Sequence, residues 1–197
     1  EAFEEILWMA FFPDLHNFRT SAVLDMAECN PAFNRFYRDH IRKLLLLRGG
    51  RRYASKNNYN ITRLKYLLDI FPDARFVIPV RDPVWHIASL MKQHRLFCRG
   101  QTENPKAVAH LQRVGHFEFG MDRRPINTGD TAATQEILAL WANGEEVAGW
   151  AMYWGQLHHF IADCLQDPAV QAAATVICFD ALCHRPAETI ENMLAHC

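Results

Sequence analysis

Arg81 stands where the apolar run Phe76-Val77-Ile78-Pro79-Val80 stops and an Asp82-Pro83 pair begins, and Ser89 follows it eight residues later. Arginine stays charged and its planar fork can hold two oxygens at once, so it suits a phosphate or sulfate group. Asp82 is placed to cap a helix and Pro83 to occupy its first turn. At about 100° per residue Ser89 returns to nearly the face of Asp82, about 10 Å further along the axis. Arg81 and the Ser89 hydroxyl could therefore grip one anion lying along the side of that helix. Ligands of open α/β sheets sit outside the carboxyl ends of the strands, and helix N-termini favour anions. The competing structural reading is an arginine paired with a carboxylate and a serine bonding back to its own helix.

The elements that must position these residues follow from pattern. Residues 75–80 form a continuous apolar run that suits a strand buried on both faces. Residues 60–70 carry apolar positions at helical spacing and close at the turn Phe71-Pro72-Asp73. Residues 31–48 follow an Asn30-Pro31 start signal and stop at Gly49-Gly50, which predicts a helix. Residues 52–55 are a short strand candidate leading to Lys56 and the polar corner Asn57-Asn58-Tyr59-Asn60. Further helices are predicted at residues 1–12, 104–114, 131–143, 145–166 and 186–196, with another strand at 175–179. Residues 116–130 show no clear period and read as an ordered loop or lid. Alternation of helix and short apolar strand predicts a parallel α/β sheet covered by helices, in one domain over residues 1–197.

Bulk properties narrow the partners. The chain has 197 residues and a formal net charge of -1, half of it apolar. Residues 30–99 hold fifteen Lys/Arg against four Asp/Glu, a local excess of +11, while the remainder carries -12. Such a segment draws anionic ligands to one region. The six cysteines are irregularly spaced and read as reduced, mostly buried thiols, which points to a cytoplasmic location. Cys178, Cys183 and His184 lack a second pair at zinc spacing, so no metal is expected. No apolar run reaches the length of a membrane span, and no signal peptide or nucleic-acid motif is read. Both ends begin or stop inside helical pattern, as in a piece cut from a longer chain.

The run from Ser55 to Leu90, SKNNYNITRLKYLLDIFPDARFVIPVRDPVWHIASL, resembles the core of the sulfotransferase family. The pattern shared with that family is a lysine near a strand end, then a helix, then Phe-Pro-Asp-Ala-Arg-Phe, then Arg-Asp-Pro, then a serine eight residues after the arginine. The resemblance implies a P-loop-like, helix-rich sulfotransferase fold, here incomplete. It also implies transfer of a sulfuryl group from 3'-phosphoadenosine 5'-phosphosulfate to a hydroxyl or amine. Arg81 and Ser89 are then the ligands of the donor's 3'-phosphate. Lys56 takes the place of the lysine that, in protein-tyrosine sulfotransferases, stabilises the transferring group and the leaving oxygen.

Sulfuryl transfer spreads negative charge over equatorial oxygens and a departing phosphate oxygen, so fixed cations and positioning carry most of the catalysis. An acceptor hydroxyl also needs a base. His94 and His86 lie on or near the helix of Ser89, and His116, Glu118 and Asp122 lie in the 116–130 loop. His94 is the catalytic candidate among them. Departures from the family pattern are also present. No Gly/Ser/Thr-rich loop for the 5'-phosphosulfate is found in these residues. Position 58 is Asn, where cytosolic members have His. The family's late Arg-Tyr-Glu-Asp-Leu strand survives weakly in residues 178–182. The acceptor is a small molecule, glycan, lipid or peptide, and the oligomeric state is left open. The alternative reading is a non-catalytic nucleotide- or anion-binding module that keeps only the 3'-phosphate site. A P-loop kinase is a poorer fit because no G-x-x-x-x-G-K-[ST] occurs.

Overall fold

The computed structural model describes residues 4–197. Two strands, β1 (Phe76–Val80) and β2 (Ala174–Cys178), pair in parallel with Val80 opposite Cys178. Between them in the chain come α4 (Pro83–Glu103), α5 (Lys106–Val114), α6 (Thr131–Ala142), α7 (Glu146–Cys164) and α8 (Pro168–Ala173). Before β1 lie α1 (Glu5–Phe11), α2 (Pro31–Arg48), a 3-10 turn over Asn58–Arg63 and α3 (Leu64–Ile70); α9 (Phe179–His184) and α10 (Pro186–His196) follow β2. This is the helix-rich α/β architecture with a small parallel sheet that the pattern predicts.

The start signals work as read. Asn30 accepts from the Phe33 amide at 3.0 Å, with Pro31 opening α2 and Gly49 closing it in the left-handed region at φ 60°. Asp82 accepts from the Trp85 amide at 3.2 Å, and Pro83 begins α4.

Two apolar clusters hold the elements together. Trp8, Phe33, Tyr37 and Tyr66 join α1, α2 and α3. Tyr59, Ile126, Ile137, Trp141, Trp150 and Tyr153 join the 3-10 turn, the 116–130 loop, α6 and α7, and Ile87, Leu90 and Met91 of α4 pack against them. Trp8 and Trp150 are 0% and 1% exposed. Each buried indole removes roughly 200 Å² from water, on the order of 5 kcal/mol before entropy is counted. A Cβ on Gly149 would come within 2.4 Å of the Trp141 ring, so glycine there lets α6 and α7 close on each other.

Several expectations need correcting. Residues 52–55 form no strand: among the described residues the sheet has two members, and Tyr53 and Ser55 turn their hydroxyls to Glu4 instead. β1 is half-buried rather than covered on both faces, because a two-stranded sheet offers too little surface for that. The helix expected from residue 60 starts as a 3-10 turn and becomes α-helical at Leu64. The chain turns into α9 directly after β2, which the pattern missed, as it missed α8. None of the thiols is buried: Cys29, Cys178, Cys183 and Cys197 are exposed, and Cys98 and Cys164 half-buried. They sit at element ends and outward helix faces rather than in either cluster. Residues 1–3 of the expected first helix lie outside the described residues. No helix among the described residues is long and apolar enough to cross a membrane, and no group of metal-ligating side chains stands together among them.

Candidate active site

Parallel pairing sets the first half of the site. Arg81 and Phe179 are the residues next in register after Val80 and Cys178, both just beyond the carboxyl ends of the strands. The Arg81 guanidinium lies over the Phe179 ring, 4.9 Å from its centroid. The ring packs against the cation without neutralising it. Ser89 is exposed on α4, two turns on. The half-buried His86 stands between them along the helix, and its Nδ1 accepts from the Trp154 indole at 3.1 Å. That bond leaves the His86 proton on Nε2. Burial, His158 and Arg81 together push the His86 pKa below its ordinary value.

Lys56 belongs to a different device. It is exposed, and both of its chain neighbours are tied to the start of α1. Ser55 donates to Glu4, which also accepts from Tyr53 and, at 3.0 Å, from the Tyr37 hydroxyl. Asn57 donates to Oε2 of Glu5 at 2.7 Å, while its own oxygen caps the 3-10 turn at the Tyr59 amide. Glu5 in turn forms a two-pronged pair with Arg63, at 2.9 and 2.6 Å, and meets His16 at 2.8 Å. Burial alone would raise the Glu5 pKa, but Arg63 and His16 outweigh it and pull the carboxyl down to about 2. Glu4 and Glu5 are 1% and 5% exposed, so the lysine corner rests on a fully internal polar frame. Neither glutamate was singled out from sequence; the signal was two consecutive acids at the head of an otherwise aromatic helix.

The 116–130 segment is pinned rather than free to close. Tyr59 accepts the Phe117 amide at 3.1 Å, Tyr153 the Ile126 amide at 3.1 Å, and Gln101 the Met121 amide at 2.6 Å. Arg123 pairs with both oxygens of Glu146 at 2.8 Å and lies over Trp141. His94 takes part in this: its Nδ1 accepts from the Gly120 amide at 3.1 Å, and Nε2 faces the Cys98 sulfur at 3.6 Å. Burial, then the Arg123 charge, lowers its pKa. Asn58 reaches across to Glu118 at 3.1 Å, and Glu118 stands 3.5 Å from Nδ1 of His116.

The structure therefore brings Arg81 and Ser89 onto one βα junction. It sets Lys56 at the head of the Tyr59 turn, whose core also receives Ile87 and Leu90 of α4, two residues before and one after Ser89. His94 faces the loop and α7.

A strand-to-helix junction with an arginine just outside the carboxyl ends of two parallel strands is where α/β proteins place their ligands. The chain belongs to the sulfotransferase family, whose sequence model matches residues 10–197. No curated protein and no solved structure matches the chain.

Proposed function

We propose that the chain transfers a sulfuryl group from 3'-phosphoadenosine 5'-phosphosulfate to a hydroxyl or amine acceptor. The observation that carries the reading is Arg81, fixed over Phe179 beyond the strand ends with Ser89 two turns along α4. In this reading the donor's 3'-phosphate lies along the first turns of α4, held by the Arg81 fork and the Ser89 hydroxyl. Lys56, a compact point charge, faces the transferring group and takes up the charge that develops on the departing phosphate oxygen. The Glu4 and Glu5 anchors keep that ammonium's backbone from moving as the charge builds, which is how a preorganised cation lowers a barrier without reorganisation. No protein group in this scheme calls for a metal. His94 and the histidines nearer Lys56 compete for the role of base, and the acceptor is a small molecule, glycan, lipid or peptide.

Transfer of labelled sulfate from the donor to a panel of hydroxyl and amine acceptors tests this, with the full-length protein beside its Arg81→Ala variant. Transfer by the parent is expected, and transfer about 10–100-fold slower by the variant when the donor is below saturation. Binding of adenosine 3',5'-bisphosphate without transfer to any acceptor would leave a non-catalytic nucleotide-binding module as the better reading.

A further inference from the structure

We propose that the His86 imidazole is a third ligand of the anion at the Arg81–Ser89 junction, donating from Nε2 to a phosphate oxygen; the proposal rests on the donor-site reading above. Among the described residues Arg81 has no carboxylate partner, and the Ser89 hydroxyl bonds neither back to its own helix nor to a neighbour. The purely structural alternative, an ion pair and a back-bonded serine, is therefore not what this fold builds. His86 lies three residues before Ser89 on α4, which sets the two about 60° apart round the helix and roughly 4.5 Å apart along it. It also lies one turn after Asp82, whose carboxylate is taken up in capping the Trp85 amide.

What makes His86 a donor is α7. An indole N–H can only donate, so the 3.1 Å bond from Trp154 holds Nδ1 as an acceptor and puts the ring proton on Nε2. Trp154 is itself braced. His158 stacks on it with 3.6 Å between centroids and 17° between planes, and Nδ1 of His158 donates to the Trp154 carbonyl at 2.7 Å. The two nitrogens of an imidazole point apart, so with Nδ1 turned to α7 the Nε2–H is directed away from that helix. Nε2 has no partner among the described residues and is not a buried atom, so it opens to solvent. Burial first, then His158 and Arg81, hold the ring below its ordinary pKa, which keeps it neutral and leaves Nδ1 able to accept.

Three donors of different kinds suit a group with three terminal oxygens. The guanidinium fork takes two of them, and the third falls to the Ser89 hydroxyl and the His86 Nε2–H further along α4. A planar carboxylate has no third oxygen to offer. His86 adds a hydrogen bond without adding a charge, so it recognises the shape of the anion, whereas general attraction comes from the basic residues of the 30–99 segment. The occupant these donors fit is a phosphate monoester, here the 3'-phosphate of the nucleotide donor.

The test titrates the full-length protein by calorimetry with adenosine 3',5'-bisphosphate and with adenosine 5'-monophosphate, which lacks the 3'-phosphate. His86→Phe keeps a ring of similar shape but no donor, and should weaken bisphosphate binding about 10-fold while leaving the monophosphate within about twofold. His86→Gln, whose amide N–H can stand near the Nε2–H, should recover most of that loss. Trp154→Phe frees the tautomer and should weaken bisphosphate binding by about 2–5-fold. Nitrogen NMR of the histidine-labelled parent should show His86 protonated on Nε2 and that proton shifted by the bisphosphate, a readout that stands even where His86→Phe fails to fold. Unchanged bisphosphate affinity in a folded His86→Phe, an equal loss for both nucleotides, or a parent His86 protonated on Nδ1 overturns the proposal and leaves the donor reading standing. A parent that binds the bisphosphate no more tightly than the monophosphate refutes the 3'-phosphate site itself, and the His86 role falls with it.

Discussion

Asn57 donates its side-chain amide to Oε2 of Glu5 at 2.7 Å, across 52 positions of chain, and by doing so fixes the residue beside Lys56 to the head of α1. The same Asn57 oxygen caps the turn that follows, so one side chain sets both the position and the direction of the lysine corner. Replacing Asn57 by Ala removes a cap worth about 1 kcal/mol and frees the corner. The expected result is a small fall in the denaturation midpoint and a larger fall in kcat, with bisphosphate affinity unchanged; equal losses in both kinetic constants would count against a positioning role.

Glu5 and Arg63 are buried together, and Arg63 is 1% exposed over the Trp8 ring. Glu5→Gln leaves the guanidinium charged and uncompensated, a cost of about 3–5 kcal/mol. Urea denaturation should show that loss. A Glu5→Leu, Arg63→Met double variant should recover most of it, because removing both charges leaves no unpaired ion.

Arg81→Ala should weaken adenosine 3',5'-bisphosphate binding by about 10–100-fold, the loss of a charge-assisted bond worth about 1.5–3 kcal/mol. Calorimetric titration checks this, and the remaining affinity should depend less on salt. Undiminished binding would remove Arg81 from the donor site.

Lys56→Ala should act on turnover instead. Removing one donor to a developing charge lowers kcat by about 10²–10³-fold, with little change in donor affinity. Single-turnover transfer separates the two effects, and Lys56→Arg should restore only part of the rate because its charge is spread over a planar fork.

Stability should fall toward acid in two stages. His86, His94 and His158 are all held below their ordinary value of 6.5, chiefly by burial. The unfolded chain therefore binds more protons than the folded one as pH drops through about 6.5, and stability declines from there. Glu5 adds a second stage. Its folded pKa of about 2 against an ordinary 4.5 contributes roughly 3 kcal/mol that is present above about pH 4.5 and lost as pH falls toward 2. Urea midpoints measured from pH 8 to 3 check both stages; a flat profile between pH 7 and 5 would contradict the first.

Gly120 holds the loop against α4 at φ 94°, and a Cβ there would lie 2.4–2.7 Å from the Gln101 amide. Gln101 is 4% exposed and bound to the Met121 amide, so it has no room to yield. Gly120→Ala should cost at least about 2 kcal/mol from backbone strain and overlap together. Hydrogen exchange should show faster opening of residues 116–126 before global unfolding.

The strand-to-helix junction and the family pattern are legible along the chain without any fold. Arg81 at the end of an apolar run, Asp82 as cap, Pro83 in the first turn and Ser89 eight residues on depend on neighbours within a few positions, and local rules reach that far. The same holds for α2, α6, α7 and β2. The Lys56 corner was legible as a lysine in a polar turn, but not what holds it. Glu4 and Glu5 lie 49 to 52 residues upstream of Tyr53, Ser55 and Asn57, and Asn58 is 60 positions from Glu118. Contacts of that range leave no period or motif, because each partner needs only to be polar. Whether such a residue becomes a buried anchor like Glu5 or a loop pin like His94 is decided by which elements the two apolar clusters press together. Only the packing of α1 against the Tyr59 turn, and of the 116–130 segment against α4 and α7, made that choice.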